Sequence, residues 1–382
     1  MRPLSLTDTI FGNLRDAQIT AVQALDGPCD LPRLLAGIDG VMVALPGFTE
    51  SHVRLGFWSF ARPPQAIDVT RHVAVAHDPS IRRPEDLAPL LDRLRRNRIS
   101  VAGPQWRIVV LNPAGSSGNP PPLSAVFMQI RHGLADGTRI VQAIARLDSL
   151  APTAAHVAAA ARLATVDFDT LAADIGVHDE GLSTMLVPRN GMSRETDAGT
   201  RLGEAVMAAV EDAGLFPHAR PLRGNLGRTR FVARRASGGG GGNYIKMETI
   251  ASGGDRARKR LAIPGLSRAQ ELRLSQWAVA VLPSPLARFM MRVWYAGFDA
   301  IATLMPLPRR LRLGGRRVTA FFAAPPLWGP VPLVVLAFAD GEHYHLTLFP
   351  GRGFTADRGA LAARVRAGFN PDTPESAITP AA

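Results

Sequence analysis

Two short runs, WRIVVL at 106–111 and SAVFMQIR at 124–131, constrain the fold of this chain more than any other feature. Both are rich in β-branched and apolar residues and short enough to be strands. The stretch between them, NPAGSSGNPPP at 112–122, reads as a loop. After the second run comes a turn, RHGLADG at 131–137, and then Ile140, Val141, Ile144 and Leu147 recur at helical spacing. Strands and helices return in the second half, where VPLVVLAFA (331–339) and HYHLTLF (343–349) read as paired strands joined by the turn DGE. A long connection, 148–200, separates the halves and holds an Ala-rich helical stretch near 153–163. A chain of 382 residues is long for one hydrophobic core. Two α/β lobes are therefore expected rather than one barrel.

Other elements follow from capping and punctuation. PLSLTDTIF (3–11) reads as a helix start, with Ser5 as cap and Asp8 at the reciprocal position of a capping box. PEDLAPLLDRLRR (84–96) puts Leu87, Leu90, Leu91 and Leu94 on one helical face, with Pro89 expected to kink or shorten it. ASGGGGG (236–242) is a flexible loop, 356–369 a closing helix, and NPDTPESAITPAA a disordered tail. No internal repeat is visible.

Composition excludes several classes. The single cysteine, Cys29, rules out an intrachain disulfide and a Cys-rich zinc site. The N-terminal MRPLSLTDTIFGNL lacks the apolar stretch of a secretory signal. The most apolar segment, 277–305, is broken by Pro283, Pro285, Arg288, Arg292 and Asp299 before it could span a bilayer. The net charge is +12, nearly all arginine, since lysine occurs only at 246 and 259. Arginines cluster at 93–98, at 256–260 and at 309–317, which suits either phosphate-bearing partners or a solvated face. The 284–317 stretch combines Phe289, Met290, Met291, Trp294, Phe298 and Leu304 with arginines. It reads as a basic surface for anionic lipid, or as a core helix followed by an exposed basic loop.

His132 closes the second strand, and Gly133 and Gly137 relax the backbone around it. Its ordinary pKa near 6.5 suits removing a proton from a hydroxyl. On spacing alone, an ordinary hydrogen-bonded turn histidine is the competing reading.

The motif in its context resembles the wax ester synthase/diacylglycerol acyltransferase family of the coenzyme A-dependent acyltransferase superfamily. RHGLADG is similar to that family's His-His-x-x-x-Asp-Gly, and PLSLTDTIF to its Pro-Leu-Ser-x-x-Asp-x-x-Phe. IDVTRHVAV (67–75), AGPQWRIVVL (102–111) and GGGGGNYIKMETIASGGDRARKRL (238–261) resemble further family segments in the same order. The resemblance is clear over 1–148 and weaker but collinear to about 370. It implies two chloramphenicol acetyltransferase-like lobes with an active-site tunnel between them. The N-terminal lobe would be 1–175, the C-terminal lobe 176–370 and the tail 371–382. The chain would be an O-acyltransferase moving an acyl group from acyl-CoA, a co-substrate, to a hydroxyl of a fatty alcohol, diacylglycerol or related acceptor. His132 would be the general base, its ring lying bare between the lobes. Asp136 would hold the loop by pairing with an arginine, Gly137 would allow close packing, and Arg131 replaces the family's first histidine. The residues that bind substrate are not identified. The implied place is the cytoplasm, at the inner face of the plasma membrane, with no cofactor, no metal and no nucleic acid.

Two departures favour a rival. The family's Asn-Val-Pro-Gly-Pro-like segment is FFAAPPLWGPVPL (321–333) here, which keeps Gly329 and Pro330 and lacks the asparagine. The chain is also short for the family. The rival is an inactive fold member that binds lipid or coenzyme A, or partners an active acyltransferase. His343 and His345 share a strand face and are expected to pack rather than bind metal, and His72 is expected to be structural. Serine-hydrolase, zincin and P-loop motifs are absent.

Overall fold

The computed structural model describes residues 2–3, 18–55, 58–62, 66–77, 81–99, 105–113, 123–132, 137–168, 181–189, 201–206, 208–209, 223–228, 246–251, 300–324, 333–351 and 357–369, with isolated positions at 282, 285–286 and 289. The segment around Ser5, the glycine run and the tail lie outside these residues, as does the arginine cluster at 256–260.

Three sheets form. A small one joins β1 (Arg2–Pro3), β3 (His52–Leu55) and β4 (Trp58–Ala61). The first large sheet contains β2 (Gln18–Leu25), β5 (Val73–Ala76), β6 (Trp106–Leu111), β7 (Ser124–Arg131) and β8 (Ala164–Val166). It also contains β13 (Arg312–Leu313) and β14 (Arg316–Ala324), which come from the second half of the sequence. Its order is β13-β14-β2-β7-β6-β5-β8. The second large sheet has the order β11-β10-β12-β15-β16-β9. Its strands are β9 (Ser183–Pro188), β10 (Arg223–Arg228), β11 (Lys246–Ala251), β12 (Ala300–Pro306), β15 (Leu333–Ala339) and β16 (His343–Pro350).

The strands predicted at 106–111 and 124–131 form with those bounds and pair antiparallel. Every residue of β7 is buried, because helices or strands cover both faces of its sheet. On one face Val126, Met128 and Ile130 pack with helix α1 (Leu31–Ala44) and with α3 (Gly137–Arg146), through Leu34, Leu35, Ile38, Val41, Ile140 and Ile144. On the other, Ala125 and Phe127 meet α2 (Leu87–Arg96) and Phe349 of the second sheet. A separate core joins β12, β15 and β16 to the helical residues around 202–209 and to α5 (Arg358–Phe369). A short helix, α4 (Ala154–Ala160), packs beside α1.

Pro89 does not break α2. A 3-10 turn at Pro84–Asp86 leads in, and Pro89 is the third residue of the helix proper, where its missing N–H has no partner to lose. The stretch expected to be an amphipathic basic surface divides differently. Residues 300–306 are a central strand of the second sheet, and Leu304 is buried there. Apolar residues at alternate positions face a sheet layer, which a helical reading of the composition overlooks. The hairpin that follows docks on Asp148, which takes the Gly315 N–H at 2.7 Å and pairs with Arg33 at 2.7 Å and Arg312 at 3.6 Å. β14 then runs antiparallel to β2.

Candidate active site

β7 ends where Arg131 lies opposite Gln18, the first residue of β2. The Arg131 N–H donates to the Gln105 carbonyl at 2.8 Å, which fixes the strand end. His132 is the next residue, in a turn, and α3 begins at Gly137. Of the motif's described residues, Arg131 thus ends a strand, His132 lies in a turn and Gly137 starts a helix. Asp136 lies outside the described residues, as do Gly133 to Ala135 and the 325–332 segment with Gly329 and Pro330.

The imidazole is not bare. His132 is 7% exposed and Arg131 is buried beside it. The reason is local: the turn follows directly on a strand covered on both faces. Burial pulls the His132 pKa down to about 4, against a smaller opposing effect of a hydrogen bond with its own backbone. At neutral pH the ring is therefore uncharged and holds a lone pair that can accept a proton.

A polar cluster that the sequence reading passed over braces this strand end. The Gln129 side-chain amide donates to the Leu94 and Asn97 carbonyls and to Thr20 Oγ1, and its oxygen accepts from Arg107 Nε. Gln18 donates to the carbonyls of Arg95 at 2.6 Å and Asn97 at 2.9 Å and accepts the Ile99 N–H at 3.2 Å. The last carbonyls of a helix have no partner within it. Two glutamines from β2 and β7 supply partners here, and so tie the end of α2 to the strands that carry His132. Burial lowers Arg107 to about 10, still charged at neutral pH. The clue was in the sequence: a glutamine inside an otherwise apolar strand needs a hydrogen-bond partner.

The arginine cluster in the last turn of α2 is no uniform solvated face. Arg95 is 2% exposed, pairs with Asp92 at 2.6 Å and lies over the Phe349 ring at 4.0 Å, while Arg96 takes the other Asp92 oxygen at 2.6 Å. His72 packs against Trp106 with ring centroids 5.4 Å apart. Burial lowers its pKa. His345 is buried in β16, with His343 beside it at 6.3 Å between rings. Its Nδ1 accepts the Phe321 N–H at 3.3 Å and its Nε2 lies 3.0 Å from Asp340.

No protein-family model matches the chain, and no curated protein matches it in sequence. Solved structures do. The wax ester synthase/diacylglycerol acyltransferase from Marinobacter aquaeolei VT8 superposes with a TM-score of 0.57 at 14% identity, covering 97% of this chain and 98% of that one. The first condensation domain of the CDA synthetase gives 0.56 at 15% identity, over 100% and 97%. The chain has the fold of these two proteins over nearly its whole length. A variant of the starter condensation domain of rhizomide synthetase RzmA, solved in complex with C8-CoA, gives 0.53 at 12% identity over 95% and 91%. At these identities the likeness carries the α/β fold, as a divergent version of it.

Proposed function

We propose that this protein is an O-acyltransferase that moves an acyl group from acyl-CoA to a hydroxyl of a fatty alcohol, diacylglycerol or related acceptor, with His132 as general base. The observation that carries this reading is a buried imidazole directly after the end of β7, five residues before the first residue of α3. It is supported by the fold and by a structural neighbour that holds C8-CoA. In the proposed step the uncharged ring accepts the acceptor's hydroxyl proton while that oxygen attacks the thioester carbonyl. The tetrahedral adduct collapses, the carbon–sulfur bond breaks, and the imidazolium returns the proton to the departing coenzyme A thiolate. Burial helps twice: it keeps the ring in its acceptor form, and it makes the imidazolium a ready donor. Asp136 would order the turn, and Gly137 would let α3 approach.

The proposed setting is the cytoplasm, at the inner membrane face. No helix among the described residues is long and apolar enough to cross a membrane. Leu286 and Phe289 are exposed, which suits contact with a lipid surface.

The rival is an inactive member of the fold, and the burial of His132 is the observation in its favour. Purified protein given radiolabelled long-chain acyl-CoA with mixed fatty alcohols and diacylglycerol decides between them. Ester formation, lost by at least about 100-fold in a His132→Ala protein that unfolds like the wild type, is the expected result. Wild-type turnover by His132→Ala would sink the mechanism. Tight acyl-CoA binding with no product from the wild type would leave the inactive member.

A further inference from the structure

A cavity of about 330 Å³ opens at the other end of the first sheet, between the hairpin that leads into β14 and the turn that joins β15 to β16. Leu307, Leu311 and Val318 form an apolar floor. Its charged lining comes from Arg309, Arg310, Arg317, Asp340, Glu342 and His345. The volume is that of a small-ligand pocket, for which the usual range is roughly 300–1,000 Å³.

The charges are not balanced. Asp340 is fully engaged: Oδ1 accepts the N–H groups of Glu342 and His343, both at 2.6 Å, and Oδ2 faces His345 Nε2 at 3.0 Å. Burial alone would raise its pKa, but the bonds from His345 and the two amides reverse that and hold the carboxyl well below the usual range. Glu342 pairs with Arg317 at 2.8 Å. That leaves Arg309 and Arg310, both exposed, with no carboxylate partner among the described residues. Arg310 has φ +60, the one non-glycine residue in the left-handed region among the described residues. A long side chain is held there only where the surroundings impose it, and such outliers gather at ligand clamps.

The geometry points to a binding site for a phosphorylated small molecule, its phosphate held by Arg309 and Arg310 and its body resting on Leu307, Leu311 and Val318. Guanidinium pairs suit phosphate oxygens by charge and by their paired donors. The site is separate from His132. Val318 lies opposite Leu25, and β2 runs from there to Gln18, opposite Arg131, a distance of roughly 24 Å along the sheet. Its walls belong to both large sheets, so a bound ligand would stiffen the junction between them.

Inorganic pyrophosphate is the first probe, titrated into full-length protein at constant ionic strength by calorimetry and thermal unfolding. Phosphatidic acid vesicles against phosphatidylcholine vesicles test a lipid headgroup as the source of the phosphate. Saturable pyrophosphate binding that raises Tm is expected, and selective binding to phosphatidic acid vesicles would instead name a lipid source. Arg309→Ala should weaken the interaction about tenfold. Arg310→Gly should do the same while raising the ligand-free Tm, because glycine relieves the backbone strain. Glu342→Gln, which releases Arg317, should tighten binding, and His132→Ala should leave it unchanged. No saturable binding to either probe, or binding as tight as the wild type's in the Arg309 and Arg310 variants, overturns the site.

Discussion

At the scale of single residues, His132 makes the sharpest statement. Its folded pKa of about 4 lies below the ordinary 6.5, so the folded chain refuses a proton that the unfolded chain accepts. Between those two values the unfolded state binds more protons, and stability falls as pH falls. By pH 5 this one group should lower stability by about 2 kcal/mol relative to neutral pH, and by about 3 kcal/mol once pH passes below 4. Urea unfolding of wild type and His132→Phe at pH 7 and pH 5 checks this, since the aromatic variant lacks the titrating group. Kinetics report on the same ring. If His132 is the base, the acid limb of the rate profile should fall near pH 4 and leave a plateau through pH 6, whereas a limb at 6.5 would mean the ring is solvated when it acts.

Elements add a constraint that no single side chain shows. A Cβ on Gly37 of α1 would lie 1.7 Å from the Leu147 carbonyl oxygen, just beyond the end of α3. The obstacle is backbone, so a helix must move. Gly37→Ala should therefore cost about 3 kcal/mol or more, although alanine is the better helix former. Chemical denaturation measures it, and a neutral result would mean that α1 and α3 separate easily. The elements legible in the sequence were those whose evidence is local. The runs at 106–111 and 124–131, the hairpin 333–350 and the leucine face of α2 all carry their period or turn within a dozen residues. β2, with glutamines at 18 and 23, shows no clean alternation because its sheet is covered on both sides. β12 was hidden among arginines and aromatics that belong to its neighbours in sequence. The candidate site was legible to the same degree. The motif positioned His132, while its burial and the braces from Gln18 and Gln129 depend on strands far away in the chain.

For the molecule as a whole, the decisive feature is that the two halves of the sequence do not build two independent sheets. β14 pairs with β2 across nearly three hundred residues of chain, and Phe321 N–H donates to His345 of the second sheet. Phe321 and Phe322 are almost wholly buried, and Leu307, Leu311, Leu313 and Val318 enter the core of the first half. Burying these six side chains stabilises by roughly 2 kcal/mol each, about 12 kcal/mol together, as much as a typical domain's entire stability. A fragment of 1–175 would lose that contribution and would also expose the outer edge of β2, an invitation to aggregate. It should show no cooperative unfolding transition and no near-ultraviolet circular dichroism of a packed core. Co-expressed with 176–382, it should recover both, because the break falls between β8 and β9 and cuts no sheet pairing. A 1–175 fragment that unfolds cooperatively alone would show that β14 merely decorates a finished lobe. Failure of the pair to reassemble would show that the connection itself guides β14 to its place.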